Sequence, residues 1–137
     1  INIINIDTNR WYIDCNIYNN LITYNITFSN NTLYFNQIIP TSILFYIDFT
    51  YQFDLSHPSL INNHFSLVDS VNNPIIKNSV IYGKIGHPNA KLLIYFDNTF
   101  TPNTNISLKY KKNINTQAFN YITIGTITTF NTPFTIV

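Results

Sequence analysis

The sequence predicts an all-β fold, a single-domain antiparallel β-sandwich or jelly roll of about 8–10 strands. Three observations carry that expectation. The first is Ser42–Asp54, where Ile43, Phe45, Ile47, Phe49, Tyr51 and Phe53 occupy every second position. A period of two places them on one face of a strand, with Leu44, Tyr46, Asp48, Thr50 and Gln52 on the other. The second is composition: aromatic residues are 16% of the 137 residues, charged residues only 9%, and Met is absent. Every acidic residue is an aspartate, so strong helix formers are scarce, whereas Ile, Tyr, Phe and Thr, which suit strands, are abundant. The third is punctuation, with turn-forming residues recurring about every 8–12 residues and no helical period between them.

Along the chain, Ile1–Ile6 alternates weakly and Asp7–Arg10 reads as a turn. Residues 1–10 are therefore expected to form an N-terminal strand or arm, and residues 11–137 the sandwich domain. Ile1, Ile3, Ile4 and Ile6 make the arm apolar and β-prone, which points to coverage at a sheet edge, in the same subunit or between subunits. Trp11, Ile13, Cys15 and Ile17 alternate with Tyr12, Asp14, Asn16 and Tyr18 as the next strand. After Asn19-Asn20, Ile22, Tyr24, Ile26 and Phe28 face inward. These two strands are expected to form a hairpin that continues, after a turn at Ser29-Asn30-Asn31, into Leu33–Ile39, which Pro40 ends because it cannot donate to a ladder.

Ser42–Asp54 is the expected central strand, running without a break. Leu55–Asn63 is a loop around Pro58, His64–Val71 a short strand, and Ser79–Ile85 another. Lys91–Asp97 is apolar on both faces and is expected to be covered on both. Ile106, Leu108 and Tyr110 alternate with Ser107 and Lys109, and Lys112–Thr116 turns the chain. Phe119–Phe130 is a long strand, and Phe134–Val137 closes the chain. With only three Gly for so many turns, Asn is expected to supply the left-handed positions.

Several kinds of chemistry are disfavoured. A net charge of +1 lacks the broad basic footprint of a nucleic-acid binder. Lys109, Lys111 and Lys112 form the one basic cluster, more simply read as a solvated strand end than as a binding patch. No apolar run approaches the ~20 residues with which a helix spans a bilayer. His57, His64 and His87 lack the close ligand pair usual in zinc sites, so neither a metal nor a cofactor is expected. Asp14, Asp48 and Asp97 fall within or at the ends of strands, where a charge blunts unwanted pairing, and nothing raises one of them as a catalytic acid. Without a nucleophile elbow, P-loop or dinucleotide fingerprint, no enzyme is expected. Cys15 reads as a small buried hydrophobe.

What remains is surface. Tyr12, Tyr18, Tyr46 and Tyr95 fall on outward faces, and exposed Tyr with Asn supplies rigid area and hydrogen bonds for protein or sugar contacts. In composition the chain resembles surface β-sandwiches of virion fibres, capsids and microbial appendages. The expectation is a non-enzymatic structural subunit of an extracellular surface assembly: a filament or appendage, or a viral coat or fibre. It would be built by β-sandwich packing and strand exchange, with copies of itself as partners and neither nucleic acid nor membrane insertion. The alternative is a receptor- or carbohydrate-binding head domain of a viral or phage fibre or a microbial adhesin, meeting a host receptor or glycan. Scarce charge favours the first, because it gives a monomer little protection against association.

Overall fold

A computed structural model of the chain describes residues 21–111 and 118–129. They form β1 (Leu21–Ser29), β2 (Thr32–Phe35), β3 (Ile43–Tyr46), β4 (Thr50–Asp54), β5 (His64–Val68), β6 (Ser79–Tyr82), β7 (Lys91–Tyr95), β8 (Asn105–Lys111) and β9 (Asn120–Thr128). Five strands make one sheet in the order β2-β1-β4-β7-β6, and four make the other in the order β3-β9-β8-β5. The two sheets pack face to face, so the fold is the expected β-sandwich. Among the described residues one 3-10 turn, Pro58–Leu60, interrupts the strands; His57 caps it by accepting from the Ser59 N–H at 3.1 Å. No helix among the described residues is long and apolar enough to cross a membrane.

Two expectations need correction. The sheets are mixed rather than purely antiparallel, because β1 runs parallel to β4 and β3 runs parallel to β9. Nor is Ser42–Asp54 one strand. β3 and β4 are consecutive in the chain but lie in different sheets, so neither can be the other's hairpin partner. Ile47–Phe49 turns the chain from one sheet into the other, with Asp48 in the left-handed region at φ 73°. Backbone bonds hold this corner: Ile47 donates to Thr128, Phe96 donates to Phe49 at 3.1 Å, and Asp48 donates to Phe96. The Tyr51 hydroxyl also spans it, accepting from the Tyr46 N–H at 2.7 Å and donating to the Leu44 carbonyl at 3.3 Å. Burial pushes that phenol up to about 12. Only the second half, β4, is central in its sheet.

The alternation nonetheless survives the corner. Phe45, Tyr51 and Phe53 are buried, Ile43, Ile47 and Phe49 are partly buried against the same core, and Leu44 points out. The Phe45 ring meets Tyr51 edge-on at 5.0 Å and Phe96 at 5.5 Å, linking the two sheets through aromatic contacts. Phe65, Leu67, Ile106, Leu108 and Ile124 complete the core from the four-stranded sheet.

Asparagine does supply the left-handed turns. Among the described residues, eight of the ten non-glycine positions with positive φ are Asn. Asn30 and Asn31, at φ 51° and 62°, make the two-residue turn whose twist matches the β1–β2 hairpin. Several strands are shorter than the sequence suggests. β2 stops at Phe35 because Asn36 and Gln37 both take positive φ. β7 is covered on one face: Leu92 and Ile94 are buried, while Tyr95 is 38% exposed on the other. The expected arm at 1–10, the strand around Cys15, the Lys112–Thr116 turn and Phe134–Val137 lie outside the described residues.

Candidate functional site

Among the described residues each sheet has two edge strands, and they are not alike. In β2, β3 and β5 the inward side chains Leu33, Phe35, Phe45, Phe65 and Leu67 are buried. In β6, Ile81 lies opposite Leu92 and so belongs to the inward face, yet it is 43% exposed. The five-stranded sheet therefore overhangs the narrower one at this edge. Val80 and Tyr82, on the outward face, are exposed as well, and Ile76 just upstream is 82% exposed. The run Ser79–Tyr82 carries no charge; Lys77 and Lys84 flank it. Lys91 places its ammonium 5.7 Å from the Tyr82 ring centroid. An apolar edge without a charge in it is a template for another strand.

A second feature lies on the outward face of the four-stranded sheet. Ladder register sets Ser66, Lys109 and Tyr121 side by side across β5, β8 and β9, and sets His64 beside Lys111 one row away. Phe119, which leads into β9, sits over that second row. Its ring centroid is 4.2 Å from the Lys109 ammonium and 4.3 Å from the Lys111 ammonium, and the His64 ring meets it edge-on at 5.1 Å. Partial burial lowers the His64 pKa, and the two lysines lower it further, which favours the neutral imidazole. Tyr121 is 47% exposed. The lysine pair was visible in the sequence; the aromatic residues beside it were not, because Phe119 and Tyr121 come eight or more positions after Lys111 in the chain.

A cleft of about 420 Å³ opens where the β5–β6 and β7–β8 connections meet, with Asp69, Lys77, Thr99 and Thr104 above Phe100 and Ile106. Its polar groups are engaged internally. Asp69 accepts from the Val71 and Asn73 N–H groups, Thr104 donates to the Thr101 carbonyl, and Lys77 donates to Thr99 and pairs with Asp97 at 3.9 Å. These bonds brace the loops. Asp97 accepts from the Thr99 hydroxyl, from the Thr99 N–H at 2.9 Å and from the Asn78 amide at 2.9 Å. Those bonds, the Thr99 hydroxyl foremost and with Lys77 assisting, hold its carboxyl at about 2, against 3.8 ordinarily. Because the folded value is the lower one, the bonds stabilise the fold above pH 3.8 and their contribution fades as pH falls through about 2. A carbon-detected titration should place the Asp97 midpoint near 2 and find it raised toward 3.8 in Thr99→Val. An ordinary midpoint in the unaltered chain would rule this network out.

The other sequence-singled residues are dispersed. Tyr95 is exposed as expected and donates to Asp48 at 3.5 Å. Tyr46 is partly buried, its ring 5.3 Å from Phe49 at the corner. Tyr12 and Tyr18 lie outside the described residues, as do Ile1, Ile3, Ile4 and Ile6. His57 caps the 3-10 turn, His87 contacts the Ile85 carbonyl at 3.3 Å, and His64 faces Phe119. Among the described residues no three His, Cys, Asp or Glu side chains converge to hold a metal. Fold and surface together define a mixed two-sheet β-sandwich with one overhanging apolar edge and one lysine–aromatic face. Compared with protein-family models, curated proteins and solved structures, the chain matches none.

Proposed function

We propose that this chain is a non-enzymatic structural subunit of an extracellular surface assembly, a filament, an appendage or a viral coat, joined copy to copy at the β6 edge. The observation that supports the reading is Ile81, an inward-facing side chain left in water because its sheet overhangs the other. The occupant of the edge is a second copy of the chain. Backbone hydrogen bonds to β6 would satisfy the edge, and burying Val80, Ile81 and Tyr82 would contribute roughly 5 kcal/mol before the ordering cost of association. The uncharged, apolar run Ile1–Ile6 has the chemistry of a donor strand, and the 9% charge content leaves little repulsion between copies.

Ile81→Lys tests this directly. Light scattering and negative-stain microscopy should show the wild type as particles or filaments and the variant as a monomer with an unchanged circular dichroism spectrum. Removing residues 1–6 should have the same effect. A monodisperse monomeric wild type, or assembly that survives both changes, overturns the reading. A receptor- or carbohydrate-binding head is the second reading, favoured by the lysine–aromatic face of the four-stranded sheet.

A further inference from the structure

We infer that the outward face of β5, β8 and β9 binds an acidic sugar, a pyranose bearing a carboxylate or sulfate, which stacks on Tyr121 and places its anionic group at Lys109. The inference rests on the second reading above and is independent of whether copies assemble. Lys109 and Tyr121 are direct cross-strand partners, so the cation and the exposed ring stand side by side on a rigid ladder. Neighbouring strands are about 4.8 Å apart, so the three strands present a platform about 10 Å wide, the scale of a pyranose with its substituents.

The chemistry of the two rows is complementary to such a ligand. Lys109 has no carboxylate partner among the described residues. Its ammonium is instead held 4.2 Å from the Phe119 centroid, a contact that positions the charge without neutralising it. An anion arriving there would gain charge-assisted hydrogen bonds from a group already fixed in place. The Ser66 side chain lies on the other side of Lys109 in the same row and offers a hydroxyl to the sugar's own. The exposed Tyr121 ring gives a flat apolar surface for the C–H face of a pyranose, and its phenol adds a polar end. A nucleic acid or an anionic membrane fits less well. Both call for a longer run of basic residues, and the chain as a whole carries a net charge of only +1.

The test is calorimetry and saturation-transfer NMR on the full chain, with 3′-sialyllactose, a sulfated lactose, lactose and inorganic phosphate as probes. The expected result is binding of either acidic sugar, with resonance changes at Tyr121 and Lys109 and lactose weaker by about tenfold, the worth of one charge-assisted hydrogen bond. Lys109→Gln should lose about that same factor while Lys109→Arg retains most of it. Tyr121→Ala should weaken the sugars but leave phosphate unaffected. Lactose binding as tightly as the acidic sugars at this face overturns the acidic specificity while leaving a carbohydrate-binding head standing. Phosphate binding as tightly as the sugars, or no sugar binding at millimolar concentration, overturns the site itself. Both NMR and calorimetry report on assembled or monomeric chain, so loss of the β6 interface would not mimic any of these outcomes.

Discussion

Phe45→Ala should lower the free energy of unfolding by about 3–5 kcal/mol, the range for deleting a fully buried aromatic ring. Phe45 sits on β3, an edge strand, yet it has no solvent exposure, because the corner at Ile47–Phe49 folds β3 beneath β4. Its ring touches Tyr51, Phe53 and Phe96 of the opposite sheet, so truncation removes contacts that join the two layers. Rigid neighbours on both sides limit how far the cavity can collapse, which argues for the upper half of the range. The neighbouring Leu44 points into water, and Leu44→Ala should cost less than about 0.5 kcal/mol. Urea unfolding of both variants measures the difference. Comparable losses would show that the inward and outward faces of β3 are assigned the wrong way round.

Gly125→Ala should cost about 3 kcal/mol or more, beyond the middle of the range for overpacking, and depress the melting temperature by roughly 10 °C. Gly125 pairs with Ile43 in the parallel β3–β9 ladder, and the β8 partner strand carries an irregularity just beside it. A Cβ there would overlap the Ile43 carbonyl oxygen and stand 2.7 Å from Phe45 Cε2 and 2.9 Å from the Ile43 carbonyl carbon. Two of those three neighbours are backbone atoms, which no rotamer change can move. The methyl is accommodated only if β3 lifts away from β9, and that would also loosen Phe45. A variant that melts with the wild type would mean the two strands are not in this register.

Much of this was legible in the sequence, for identifiable reasons. Period-two alternation reads out side-chain parity, and parity between Ile43 and Phe53 is the same whether the segment is one strand or two. The corner itself left no mark. Asp48 occupies a left-handed position with neither Gly nor Pro nearby, and within the alternation it resembled an ordinary outward polar residue. Parallel pairing was equally hidden, because it follows from the chain crossing between sheets, not from any local pattern. The exposed β6 edge depends on one sheet being wider than the other, a property of the assembled layers that Val80, Ile81 and Tyr82 do not encode. The lysine–aromatic face was half visible. Lys109 and Lys111 share a strand parity, but Phe119 and Tyr121 join them only once β8 and β9 are paired.

The pairing of Ile43 with Gly125 also sets a timetable. A ribosome delivers β3 early and β9 late, and at ordinary rates the interval is on the order of ten seconds. Until β9 emerges, Phe45 has a strand to sit on but no ladder to hold it, and the four-stranded layer cannot close. Each newborn copy therefore spends that interval with half of its interior uncovered.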